Sequence, residues 1–369
     1  MPAVLVVGAG LSGLATALGV ALRGRAAIVL ESSSLVGGAA AYSGGMVWAA
    51  ANHVCAREGI DDDLARGEAY VRHLSADHPD LLDEQALHRW LQASPEALDY
   101  WERVGAIRWE IIPDLADYYA DAPGALEVGR YLTNAPIDGS ELGDWRPLLR
   151  VSPAFPVGMT YAEMNVKGRR SSLAEKHGST SAEDDEIAGH AGVPAFGRSD
   201  AAPAAARTGD PLTFGTGVVA SFLARAAREQ AIEIRLDSPV TSLLLEQGRV
   251  VGVRVEGPEG PYELHGPVVL ATSTYDWNPD LVQEFLGLGP DDFSSLAPTS
   301  ISGDGITLAR QAGAATVAIP AHKVPIVPGW RAHNETGVSN GPEYALPHCL
   351  MVDARGERFC DDSYWVDIV

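Results

Sequence analysis

Val4-Leu5-Val6-Val7-Gly8-Ala9-Gly10-Leu11-Ser12-Gly13 joins a short apolar run to a Gly-x-Gly-x-x-Gly turn, and residues at helical spacing follow directly. A second apolar run, Ala27-Ile28-Val29-Leu30, ends on Glu31. Strand, glycine turn, helix, strand and acid in that order predict a parallel βαβ unit that holds a dinucleotide. In such a unit the first glycine permits the tight turn, the second lets backbone approach a pyrophosphate, and the third lets helix and strand pack closely. Gly8, Gly10 and Gly13 are therefore the expected cradle, with the amides of the helix N-terminus facing the phosphate charge. Glu31 is placed to accept the ribose hydroxyls, and an acid there disfavours a 2'-phosphate.

Outward from this unit, Gly37-Gly38-Ala39-Ala40-Ala41-Tyr42-Ser43-Gly44-Gly45 is a small-residue stretch along which a cofactor can lie against bare backbone. Residues 61–105 read as helical, one helix opened by Asp83-Glu84-Gln85 and the next by Ser94-Pro95-Glu96, with Gly105 closing it. Residues 168–211 are rich in Gly, Ala, Ser, Pro and charge, and predict a mobile loop. From Phe214 a helix returns, with Val218, Phe222, Leu223 and Ala226 on one face, and Ile232 begins a strand. Ser238 to Leu245 and Val250 to Val255 flank Glu246-Gln247-Gly248-Arg249, a hairpin signal. Pro267 to Thr272 is nearly all apolar, as a strand buried on both faces of a parallel sheet must be. The expected fold is α/β: a Rossmann-like domain with a hairpin insertion, plus an α+β substrate domain. Its expected division is 1–70 and 213–300 for the nucleotide domain, 71–212 for a helical and loop insertion, and 301–369 for an incomplete substrate domain.

Composition narrows the function classes. With 27 Lys and Arg against 49 Asp and Glu, the net charge is −22, which repels nucleic-acid phosphates and anionic lipid surfaces. Nucleic-acid binding is excluded as a main role. Cys55, Cys349 and Cys360 are too few and too scattered for a disulfide framework, which fits a reducing, cytoplasmic setting. No stretch reaches the roughly 18 uncharged apolar residues of a membrane span. Ser43 lacks the nucleophile elbow because Ala41 precedes it by two, and the spacing of His73 and His78 does not share one helix face, so neither a hydrolase serine nor a metal site is expected.

The glycine turn, Gly37-Gly38-Ala39 with Ser43-Gly44-Gly45-Met46-Val47-Trp48, Val250-Val251-Gly252-Val253, Gly303-Asp304-Gly305-Ile306 through Ala312-Gly313-Ala314, and Asp353 to Phe359 together resemble one family. It groups fumarate reductase and succinate dehydrogenase flavoprotein subunits with 3-ketosteroid Δ1-dehydrogenases. The resemblance implies FAD as cofactor. It places Gly8, Gly10 and Gly13 at the pyrophosphate, Glu31 at the adenosine ribose, Ser32 among the cofactor-binding residues, and Gly37, Gly38, Ala39, Ser43, Gly44 and Gly45 toward the flavin. It also places the Val240 backbone at adenine, and Ala271, Thr272 and Asp304 beside the cofactor. The Ser43–Trp48 stretch and Asp117-Tyr118-Tyr119-Ala120-Asp121-Ala122-Pro123-Gly124 resemble the ketosteroid branch, where a tyrosine of such a segment lines the steroid pocket. A second tyrosine after the Arg-Phe element acts there as the base, and Tyr364 falls in that neighbourhood.

That resemblance implies an FAD-dependent oxidoreductase acting on a CH–CH bond beside the ketone of a ketosteroid or other cyclic ketone, and handing electrons to an acceptor. Such chemistry needs a hydride acceptor that side chains cannot supply and flavin can, and a base near the second hydrogen. Tyr118, Tyr119 and Tyr364 are the candidate catalytic residues. The alternatives are a fumarate-type reductase, where His322-Lys323-Val324-Pro325 stands in place of the family's His-Pro-Thr, and an inert fragment of such an enzyme. Two departures from the family stand out. Ser273 and Thr274 replace a Gly-Gly pair, and β-branched Thr274 tolerates neither positive φ nor close backbone approach. The chain also ends on Tyr364-Trp365-Val366-Asp367-Ile368-Val369 without the family's closing strand, turn and helix, so it is expected to be truncated and to hold FAD weakly.

Overall fold

The computed structural model describes residues 1–76, 79, 82–153, 155, 157–163, 209–289, 293–316, 330–331, 333, 335–339 and 352–358. Tyr364, Cys360, His322 and nearly all of the 168–211 segment lie outside the described residues.

The opening run forms β1 (Val4–Val7), α1 (Leu11–Ala21) and β2 (Ala27–Leu30). There follow α2 (Gly38–Tyr42), β3 (Val47–Trp48), α3 (His53–Glu58), α4 (Leu64–Leu74), α5 (Glu84–Arg103), β4 (Trp109–Ile111), β5 (Tyr131–Asn134) and β6 (Ile137–Asp138). Beyond these lie β7 (Pro211–Leu212), α6 (Phe214–Ala226), β8 (Ile232–Arg235), β9 (Val240–Glu246), β10 (Arg249–Gly257), β11 (Gly260–His265) and β12 (Val268–Leu270). The last described elements are α7 (Pro279–Leu286), α8 (Asp304–Gln311), β13 (Trp330–Arg331) and β14 (Val338–Ser339).

The nucleotide-type sheet is parallel, in the order β12-β1-β2-β8. Strand β1 explains why it folds: with period-2 alternation, Val4 and Val6 face one way and Leu5 and Val7 the other. Val4 and Val6 pack with Leu14 and Leu18 of α1 and Val219 and Leu223 of α6. Leu5 and Val7 pack with Val240, Val253, Val255 and Leu308. Each such burial contributes roughly 1.5–3 kcal/mol, so a strand buried on both faces anchors two cores at once. Strand β12 is half-buried and is the edge of this sheet among the described residues, which corrects the expectation of burial on both faces. Helix α6 is buried on nearly every side, against α1, α2 and β5, where the sequence suggested a single face.

The expected hairpin is present, with Gln247 and Gly248 both at positive φ between paired Glu246 and Arg249. This is a two-residue primed turn, and β11 extends it to an antiparallel three-stranded sheet. A correction concerns Pro95, expected to open a new helix. It sits inside one continuous helix, α5, capped by the Asp83 carboxylate, which accepts from the Ala86 amide at 2.9 Å. The amphipathic face carrying Leu87, Leu91 and Leu98 continues through the proline, and tertiary packing outweighs the one lost backbone bond. Beside α5, β3, β5 and β4 make a small antiparallel sheet, with Trp48 paired to Tyr131.

Candidate functional site

The glycines of the first turn divide by what requires them. A Cβ on Gly13 would lie 1.9 Å from the Gly8 carbonyl oxygen, and one on Gly8, at φ +105, would lie 2.5 Å from the Ala271 carbonyl oxygen. The fold itself requires glycine at both. Gly10 differs: its φ of −75 suits any residue, and a Cβ there meets only Gly37 O at 3.7 Å and Gly38 Cα at 3.9 Å. Protein packing leaves room at Gly10, and close approach by a dinucleotide phosphate is what that room suits. These residues fit FAD.

From this turn the predicted residues line up in space. The buried Glu31 carboxylate accepts from the Ala9 amide at 2.8 Å through Oε2, and from the Ser33 amide at 3.0 Å and the Ser32 hydroxyl at 3.4 Å through Oε1. The acid is thereby fixed against the glycine turn. The Ser238 amide donates to the Glu31 carbonyl, which draws the start of β9, with Val240, to the same end. On the other side Gly10 and Gly37 form a parallel bridge, and the Gly37 amide donates to Ala9 O at 3.0 Å. Helix α2, with Ala39 in its first turn, leads from there to Ser43, whose hydroxyl donates to Ala40 O and accepts from the Gly45 amide. Gly45, at φ +66, lies so close to α6 that a Cβ would sit 2.3 Å from the Phe214 carbonyl carbon.

The exit of β12 completes this side. The Ala271 amide donates to Val7 O, and the start of α8 abuts Thr272, whose Oγ1 would be 2.1 Å from a Cβ on Gly305. Asp304, at the first position of α8, accepts from the Ser302 hydroxyl at 2.8 Å. The positive φ expected to trouble Thr274 falls instead on Ser273, at +69. The strain belongs to the residue one step earlier, whose unbranched side chain tolerates it better.

Past Gly44 and Gly45 the surroundings become aromatic. The Tyr161 hydroxyl donates to the Gly44 carbonyl, and its ring meets Phe214 edge-on at 4.7 Å. Ile112, Leu115, Tyr161 and Phe214 form a buried cluster, against which Met46, Tyr118, Tyr131 and Phe155 pack. Tyr118 stacks on Tyr131 with centroids 5.0 Å apart. A cavity of about 240 Å³ opens beside Ile112, Pro113, Thr133, Met159, Tyr161 and Phe214. Burial pushes the phenols of Tyr118, Tyr131 and Tyr161 above the ordinary tyrosine value, so each stays protonated at neutral pH and can donate. The Tyr119 amide donates to the Tyr70 hydroxyl at 3.2 Å.

Three features carried no local sequence signal. Arg130 is fully buried, donating Nη2 to Asp62 at 2.6 Å and Nη1 to Asp117 at 2.8 Å, with its guanidinium over Trp48 and Tyr70. Tyr161 and Phe214 form the aromatic wall. Arg150 and Glu335 pair at 3.1 Å beside Tyr42.

The model of the FAD binding domain family matches residues 3–369. The chain belongs to that family. It is 26% identical to a 3-oxosteroid 1-dehydrogenase of Mycolicibacterium smegmatis over 98% of this chain and 61% of that protein. It is 27% identical to a 4-oxocyclohexanecarboxylate 2-dehydrogenase of Sinomonas cyclohexanicum over 98% of this chain and 58% of that protein. The chain thus spans about three fifths of the length of these curated relatives. A crystal structure of 3-ketosteroid Δ1-dehydrogenase from Sterolibacterium denitrificans shares the fold, with a TM-score of 0.78 at 24% identity, over 98% of this chain and 64% of that one. Among the described residues, no helix is long and apolar enough to cross a membrane.

Proposed function

We propose that this chain carries the FAD-binding part and one substrate wall of a dehydrogenase that removes two hydrogens from adjacent carbons beside the ketone of a 3-ketosteroid or smaller cyclic ketone. The observation that carries the reading is the contact between Tyr161 and Gly44, which sets an apolar, tyrosine-lined wall against the turn assigned to the flavin end. An alicyclic substrate needs such a wall, and a dicarboxylate would need positioned arginine forks.

FAD, which Gly8, Gly10, Gly13 and Glu31 would hold, would supply the hydride acceptor that side chains lack, and the second hydrogen would leave as a proton to a base. The chain's own residues do the rest. Met46, Ile112 and Phe214 exclude water from the ring system, which strengthens every polar contact inside. Tyr118, whose phenol desolvation moves still further from ionisation, is suited to donate to a keto oxygen as negative charge gathers there, an electrophilic role and not that of a base. Tyr364 keeps the base role that the family resemblance gives it.

Anaerobic titration of the flavin-loaded protein tests the reading. Loss of oxidised-flavin absorbance on adding a 3-ketosteroid or 4-oxocyclohexanecarboxylate is expected. Absence of bleaching by either ketone, together with reoxidation of chemically reduced flavin by fumarate, would overturn it in favour of a fumarate-type reductase.

A further inference from the structure

Arg150 lies alongside the strip that connects the two ends of the dinucleotide site. Its amide donates to Val36 O at 2.9 Å, and its Cβ is 3.3 Å from where a Cβ on Gly37 would stand. Gly37 is the residue bridged to Gly10, the one motif glycine where the protein leaves room. The guanidinium reaches the Ser33 hydroxyl at 3.2 Å in one direction and lies 5.7 Å from the Tyr42 ring centre in the other. It therefore runs beside residues 33–42, the course a dinucleotide takes from Glu31 toward Ser43.

The cation is also incompletely paired. Its side chain is only 7% exposed, and its Nε is buried without a hydrogen-bond partner. Its one carboxylate among the described residues, Glu335, also receives the Tyr42 hydroxyl and both the amide and hydroxyl of Thr299, so its charge is divided among several donors. A buried guanidinium with a spare donor is costly unless a further acceptor meets it. A diphosphate supplies the acceptor oxygens and the charge, and arginine matches phosphate geometry.

We propose that Arg150 is the cation that faces the cofactor's diphosphate, and that Glu335 competes with the diphosphate for it. The helix N-terminus at Leu11 contributes partial charge only, whereas Arg150 contributes a full one. Glu335, reaching in between β13 and β14, sets how much of that charge the diphosphate receives.

Calorimetric titration of the flavin-free chain with ADP, adenosine and FAD tests this. Arg150→Gln is expected to weaken ADP and FAD at least tenfold while leaving adenosine within about twofold, and Arg150→Lys to recover part of the loss. Glu335→Gln, which leaves the arginine in place, is expected to tighten ADP about threefold or more. Equal losses for ADP and adenosine in the Arg150 variants overturn the proposal, because they mark a structural effect. Should Arg150→Gln fail to fold, Glu335→Gln decides: unchanged or weaker ADP binding overturns the proposal.

Discussion

Arg130 donates Nη1 to Asp117 Oδ2 across 2.8 Å in the interior, and through that bond the loop bearing Tyr118 is fastened to the sheet bearing Trp48. Asp117 also accepts from the Trp48 indole at 2.7 Å and the Leu126 amide at 2.9 Å, while Asp62 holds the other side of the guanidinium. Arg130→Gln leaves two buried carboxylates facing each other and is expected to cost about 3–5 kcal/mol. Asp117→Asn leaves a neutral Arg130–Asp62 pair but turns one amide donor toward other donors, and is expected to cost about 1–3 kcal/mol. Chemical denaturation ranks the two, and a larger loss for Asp117→Asn would show that the aspartate's own hydrogen bonds outweigh the charge pair.

The glycines of the opening turn predict a separation between folding and binding. Gly13→Ala drives a methyl into the Gly8 carbonyl and is expected to lose about 1–3 kcal/mol or more of stability. Gly10→Ala meets only ordinary contacts, so the melting temperature holds while FAD affinity falls at least about tenfold. Thermal melts beside flavin-fluorescence titrations check both. A Gly10→Ala protein that keeps wild-type FAD affinity would place the phosphate elsewhere.

Much of the nucleotide half is legible in the sequence because its constraints are local. A glycine turn, a strand end and an acid state their geometry within about thirty residues. The Pro95 misreading arises from the same locality: Ser-Pro-Glu has the form of a helix start, and only the apolar stripe continuing on α5 overrules it. Arg130 is illegible for the opposite reason. Its partner Asp62 is 68 residues away, and an arginine in the bend that leads into β5 gives no local hint that two carboxylates await it. Glu335 and Arg150, 185 residues apart, are hidden in the same way. The tyrosine segment is intermediate: its sequence marks a loop, but only the packing separates Tyr118, in the aromatic wall, from Tyr119, tied to Tyr70.

Ser273 supplies a stability prediction. An exposed non-glycine residue at φ +69 costs roughly 1–2 kcal/mol, against about 0.5–1 kcal/mol for the added chain entropy of a glycine. Ser273→Gly is expected to stabilise the protein by about 0.5–1 kcal/mol. Thr274→Gly has no positive φ to relieve and loses the hydroxyl's bond to the Asp276 carboxylate, so it is expected to destabilise by at least the entropy term. Matched urea titrations check the pair, and a gain at Thr274 in place of Ser273 would contradict the assigned strain.

Four phenols, two buried (Tyr70 and Tyr161) and two half-buried (Tyr118 and Tyr131), fix the alkaline limit. Burial raises Tyr70, Tyr118, Tyr131 and Tyr161 above the ordinary value of 10.0. The unfolded chain releases these protons near that value while the folded chain keeps them, so the unfolded state binds fewer protons and stability falls as pH rises past it. Below it these groups leave stability flat. Denaturation midpoints between about pH 8 and 11.5, with tyrosinate absorbance followed in parallel, are expected to show these phenols ionising only as the protein unfolds. Free titration of all 11 tyrosines in the folded protein would contradict their burial.

Adjacent Tyr118 and Tyr119 give the sharpest test of the substrate wall. Tyr118→Phe keeps the ring stacked on Tyr131 and removes only the hydroxyl, so stability and FAD affinity are expected to hold. If that hydroxyl donates to the keto oxygen as charge develops, kcat falls about 10²-fold or more while KM moves little, because the contact strengthens in the transition state. Tyr119→Phe, outside the described aromatic cluster, is expected to stay near the wild-type rate. Stopped-flow flavin reduction with a cyclic ketone measures both. A loss at Tyr119 with none at Tyr118 would move the reacting ketone to the Tyr70 side of the loop and with it the assignment of the pocket.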